Sequence, residues 1–69
     1  MVAPAHFLDR MIEDSDKLIK QIKLKYKNKS LARQLIVGAR ETADYSSTKE
    51  RWSPEWYIQY LIALENAIK

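Results

Sequence analysis

The segment from Pro54 to Ile68 leaves this chain few choices of fold. At helical spacing, Trp56, Tyr60, Ala63 and Ala67 form one row, and Tyr57, Leu61, Leu64 and Ile68 form the next. Ile58 and Ile62 lie beside them, and only Glu55, Gln59, Glu65, Asn66 and Lys69 are strongly polar. A helix that is apolar over most of its circumference is a buried helix, so other elements must cover it. Its start is explicit. Ser53 is the N-cap, Pro54 takes the first helical position, and Glu55 sets negative charge at the positive end of the helix dipole. Trp52 before the cap and Tyr57 four positions into the helix have the spacing of a hydrophobic staple.

The whole chain has 69 residues. A domain of this size buries only about 60% of the surface its unfolded form exposes, and it usually needs a staple or a partner. With no cysteine there is neither disulfide nor thiolate zinc site. Absent cysteine fits a reducing intracellular compartment such as the cytoplasm. The first five residues lack the basic and apolar regions of a secretory signal. Efficient helix packing, or association with itself or with another protein, is left to supply stability.

The remaining sequence reads as two further helices. The first spans about residues 4–27, with Leu8, Ile12, Ser15, Ile19, Ile22 and Tyr26 stepping by four and three along one seam. Ser15, its polar member, marks thin packing or the approach of a partner. Residues 22–27 alternate apolar and basic, which is the period of a strand, but the longer helical spacing prevails. Ser30 is a candidate cap for the second helix, about 31–44, whose stripe is Leu31, Ala32, Leu35, Ile36, Ala39 and Ala43. Ala32, Gly38, Ala39 and Ala43 either let another helix approach closely or reflect simple tolerance of a glycine. Ser47 to Glu50 has the form of a capping box and starts a single turn within the loop. The expected fold is all-α: one compact three-helix domain, with the third helix completed by a partner or a second copy.

Charge is segregated along the chain. Residues 17–40 carry eight bases and no acid in a chain whose net charge is +3. Lys20, Lys23, Lys25, Lys27, Lys29, Arg33 and Arg40 are therefore candidate phosphate contacts, with Tyr26 placed to stack on a base. The competing reading is purely structural. Acids early and bases late in the first helix are what its dipole favours, and Glu13–Lys17 and Asp16–Lys20 are i,i+4 pairs in the preferred orientation. No register of a helix-turn-helix fits residues 31–52, so nucleic-acid contact would be mainly to backbone.

Catalytic chemistry finds no support. His6 is the sole histidine and reads as a surface or packing residue, and Gly38 is the sole glycine, so there is no phosphate-cradling loop. The acids at Glu13, Asp14 and Asp16 lack the glycine and terminal glutamate of a calcium loop. A bundle this small has little room for a pocket of about 300 Å³ or more. No cofactor, metal or small-molecule substrate is expected, and no motif carries a family resemblance. No apolar run reaches the roughly 20 residues that cross a bilayer, and the lysines and aromatics lie on different segments, which disfavours a membrane surface.

The sequence therefore predicts a non-catalytic binding protein (a regulator, inhibitor, adaptor or assembly subunit). Its interface is expected on the third helix, anchored by Trp52, Trp56, Tyr57 and Tyr60, residue types enriched at interface hot spots. The row of Trp56, Tyr60 and Ala63 is expected to face outward, because Tyr57, Leu61, Leu64 and Ile68 make the more regular inward seam. The partner is another protein or a second copy. The alternative is a nucleic-acid-binding protein acting through the basic segment 17–40.

Overall fold

The computed structural model describes the backbone of residues 4–47 and 50–69, with side chains from Leu8 onward within that set. Three helices follow in order: α1 (Pro4–Lys25), α2 (Lys29–Ser46) and α3 (Pro54–Ile68). The fold is all-α, with no strand among the described residues. The alternating segment is helical through Lys25, and burial shows why. Ile22 is fully buried while Leu24 is largely exposed. A strand would set both on one face, whereas a helix turns them about 200° apart. The side chain of His6, the capping-box turn through Thr48 and Lys49, and the first three residues lie outside the described residues.

α3 is the central element. α1 and α2 each pack along it and touch one another sparsely. The Tyr26 hydroxyl, just beyond the end of α1, donates to the carbonyl of Ala67 near the end of α3, at 2.9 Å. The Trp56 indole at the start of α3 donates to Asp44 near the end of α2, at 2.5 Å. α1 and α3 therefore run parallel, and α2 runs antiparallel to both. The resulting body measures 42 × 22 × 17 Å. The Lys25 ammonium also donates to the carbonyl of Ile68. Two orphan carbonyls at the negative end of the α3 dipole thus receive donors from the end of α1.

The caps decide where the helices begin. α3 starts as its sequence indicates: Ser53 Oγ accepts from the Trp56 amide at 3.2 Å, and the Trp52 and Tyr57 rings meet at 5.6 Å in the staple. α2 starts two residues earlier than expected and ends two later. Its cap is Asn28, whose Oδ1 accepts from the amides of Ser30 at 2.9 Å and Leu31 at 3.3 Å. Asparagine in extended conformation caps at least as well as serine, so Ser30 is drawn into the first turn.

The seam of α1 also differs from expectation by one position. Met11 is buried and Ile12 is exposed, so the inward line runs Leu8, Met11, Ser15, Ile19, Ile22, Tyr26. Ser15 is the one buried polar residue among the described residues, and its hydroxyl donates to the carbonyl of Ile12 at 2.8 Å.

The main correction concerns α3. Trp56, Tyr57, Tyr60 and Leu64 are all buried, with Trp56 at 0% and Tyr60 at 4% exposure. The row expected to face outward is core. α1 and α2 clasp α3 from two sides, so both of its aromatic rows are covered at once. The open face carries Glu55, Ile58, Ile62, Glu65 and Asn66. On α2, the buried residues Ala32, Ala39 and Ala43 occupy one stripe toward this core. Their small side chains admit the rings of α3 at close range.

Gly38 does not share that role. A Cβ built on it meets nothing within 4 Å. It borders a shallow groove between α2 and α3, of about 430 Å³, whose edges carry Gln34, Thr42, Gln59 and Asn66. Gly38→Ala should therefore raise stability by about 0.5–1 kcal/mol, since it lowers the entropy of the unfolded chain without a clash. Urea denaturation of the two proteins side by side measures this, and a lower midpoint for the variant would contradict it.

Candidate functional site

The sparse contact between α1 and α2 leaves a cleft of about 990 Å³ between them. The expectation that so small a bundle lacks room for a cavity is corrected. The space arises because α3 supplies most of the contact surface for each outer helix, so the outer helices splay. Ile19 of α1, Ala32 and Ile36 of α2 and Tyr60 of α3 give the cleft an apolar floor. Its walls carry Lys23, Lys27, Lys29, Arg33 and Arg40, and among the described residues no acid lines it.

Local geometry gathers these cations. Lys23 stands in the last turn of α1, and Lys27 lies in the turn that follows. Lys29, Arg33 and Arg40 follow one another on α2 at steps of four and seven, within about 40° of the helix circumference. Five of the seven basic residues singled out from the sequence therefore meet at one place. The structure does not bring the other two there. Lys20 is exposed and does not line the cleft, and Lys25 is directed to the end of α3, where it meets the Ile68 carbonyl and lies 5.6 Å from the Tyr26 ring centroid. Tyr26 does line the cleft, half-buried, with its hydroxyl held by Ala67.

Helix electrostatics accounts for only part of this grouping. Lys23 and Lys25 sit in the last turn of α1, where the dipole favours cations. Lys29 opens α2, and the first turn of α2 holds no acid. A cation at a helix N-terminus opposes the dipole. The Lys27, Lys29 and Arg33 charges thus add to the positive potential of a helix start instead of offsetting it, which costs folding stability.

The aromatic candidates divide differently. Trp56, Tyr57 and Tyr60 belong to the core, where their rings form a cluster with centroids 4.9–6.5 Å apart. Only Trp52 is open, at 46% exposure, and its φ of 70° is the one positive value outside glycine among the described residues. Its ring lies 4.6 Å from that of Trp56, with the guanidinium groups of Arg40 at 5.7 Å and Arg51 at 5.3 Å. Sequence reasoning missed Asp44 and Arg51. Asp44 accepts from the Trp56 indole and pairs with Arg51 at 3.6 Å. Their link spans the α2–α3 loop, and nothing in their local spacing announces it.

Tyr57 and Tyr60 connect the core to the charges around it. Burial raises both phenolic pKa values above the ordinary 10.0, Asp16 of α1 adds to the rise, and Arg40 opposes it. With the folded pKa above the unfolded one, the unfolded chain releases its phenolic protons first. Stability from these groups is therefore full below pH about 10 and declines as pH rises through the folded pKa values. Urea midpoints measured from pH 8 to 11 should fall above pH 10, and Tyr60→Phe should make the decline shallower. An unchanged slope in that variant would assign the alkaline loss to other groups.

Among the described residues no helix is long and apolar enough to cross a membrane. Searches of protein-family models, curated proteins and solved structures find no match to this chain.

Proposed function

We propose that this protein is a non-catalytic nucleic-acid-binding protein that holds phosphates in the cleft between α1 and α2. One observation carries the reading: five cationic side chains from two helices and their turn line a single cleft, with no acid among its described lining residues. Grouped lysines and arginines of this kind neutralise phosphates and release condensed counterions. The opposition between Lys29 and the α2 dipole supports the reading, because helix stability gives no reason for a cation there.

An interface anchored on α3 has less support. Three of its four proposed anchors, Trp56, Tyr57 and Tyr60, are buried within the chain itself. The face that remains open offers Ile58 and Ile62 between Glu55, Glu65 and Asn66. Scattered exposed apolar residues of that kind are ordinary on a monomer surface.

Titration with nucleic acid at several salt concentrations tests the proposal. If each of the five cleft cations meets one phosphate, the log–log salt slope is about −4.5 on duplex and about −3.5 on a single strand. Lys29→Glu with Arg33→Glu should abolish binding, whereas Lys17→Glu with Lys20→Glu, the same change of charge at residues that do not line the cleft, should leave most of it. Equal losses in the two proteins would reduce the effect to net charge. No binding even at low salt would overturn the proposal, and binding of an acidic protein in its place would reassign the cleft.

A further inference from the structure

We infer that the cleft takes a single strand laid along α2 from Lys29 to Arg40, with one base stacked on Trp52. The inference rests on the nucleic-acid reading of the cleft and adds to it the form of the ligand and a recognition residue.

The shape of the site carries the first part. Its cations stand on the walls of a groove between two helices, above the apolar floor of Ile19, Ile36 and Tyr60. A duplex is a convex cylinder with its phosphates outermost, so it would meet the rims and leave the floor empty. A single strand enters such a groove with phosphates on the walls and bases against the floor. Lys29 to Arg40 covers eleven residues of helix, or about 16 Å at 1.5 Å per residue. Phosphates at least about 3.4 Å apart along one strand place three to five of them along this stripe, matching the charges present.

Trp52 carries the second part. Arg40 belongs both to the cleft wall and to the Trp52 ring, 5.7 Å from its centroid, so the groove leads directly to the indole. Asp44, an acid at this end, is already engaged by the Trp56 indole and by Arg51. Trp52 keeps a left-handed backbone, with φ at 70°, that a bulky side chain seldom adopts. Its ring meets those of Trp56 and Tyr57, and the guanidinium groups of Arg40 and Arg51 also lie over it, while it remains about half exposed. A half-open indole packed against two other rings at the end of a cationic groove can serve as a stacking platform, and such platforms accept any base because every base has a π-face.

Tryptophan fluorescence tests this directly, because Trp52 is exposed and Trp56 is buried. Oligothymidylate of about 12 nucleotides and a duplex of equal length are titrated at low salt, following both polarisation of the labelled strand and tryptophan emission. We expect the single strand to bind about tenfold tighter and to quench emission. Trp52→Leu should weaken single-strand binding by about tenfold, within the range of one lost stack. Trp52→Phe should keep most of the affinity and lose the quenching, and it serves if the leucine variant fails to fold by circular dichroism. Equal or tighter duplex binding, or quenching that persists in Trp52→Phe, would overturn the inference while leaving the nucleic-acid reading intact. If neither probe binds, the reading itself falls.

Discussion

Trp56 has no exposed surface and one polar atom, and the rest of the molecule is arranged around satisfying both. Its indole N–H reaches the Asp44 carboxylate at 2.5 Å, a charge-assisted bond that a buried donor needs to offset desolvation. That bond fixes the end of α2 against the start of α3. Around it, Ser53 caps the first turn, Arg51 steadies Asp44, and the Trp52, Tyr57 and Tyr60 rings pack edge and face against the indole. The alanine stripe of α2 lets those rings sit close to its backbone. At the other end of α3, Tyr26 and Lys25 close its last carbonyls. α3 is thus held at both ends by polar contacts and along its length by apolar ones.

Because α3 satisfies both outer helices, they have little need of each other. The cleft follows from that division of contacts, and so does the freedom to line it with like charges. Lysines and arginines facing one another across a dry interface would be costly. Across an open groove they keep their hydration and repel only through screened solvent. The cleft therefore lies where the fold is least dependent on packing, and where a cation stands against the helix dipole at Lys29.

Much of this was legible in the residues. The start of α3 is written in Ser53, Pro54 and Glu55, and the structure adopts it unchanged. Helix number and the burial of Ile22 follow from spacing. The face of α3 differs from the one its aromatic spacing suggests, because two helices cover both aromatic rows. Glu55, Glu65 and Asn66 share one arc of the helix, and the side opposite that arc carries Tyr60 and Leu64. The charges therefore identify the inward face better than the regularity of an apolar seam does. The substitution of Met11 for Ile12 in the α1 seam was beyond such reasoning, since both are apolar and adjacent. The convergence of cations was legible as a charge block but not as a cleft. That step depends on how far α1 and α2 stand apart, which is a tertiary quantity. The Asp44–Trp56 bond is likewise tertiary, joining residues 12 apart across a loop.

The parallel alignment of α1 and α3 bears on how the chain reaches its native state. The contacts that close α3 join Tyr26 to Ala67 and Lys25 to Ile68, separations of 41 and 43 residues. α1 and α2 can form helical turns locally, but they have little surface to exchange until α3 arrives. A nascent chain that has produced only the first two helices therefore holds two amphipathic segments with their apolar stripes unshielded. Burial of both stripes against a common partner has to wait until α3 has emerged.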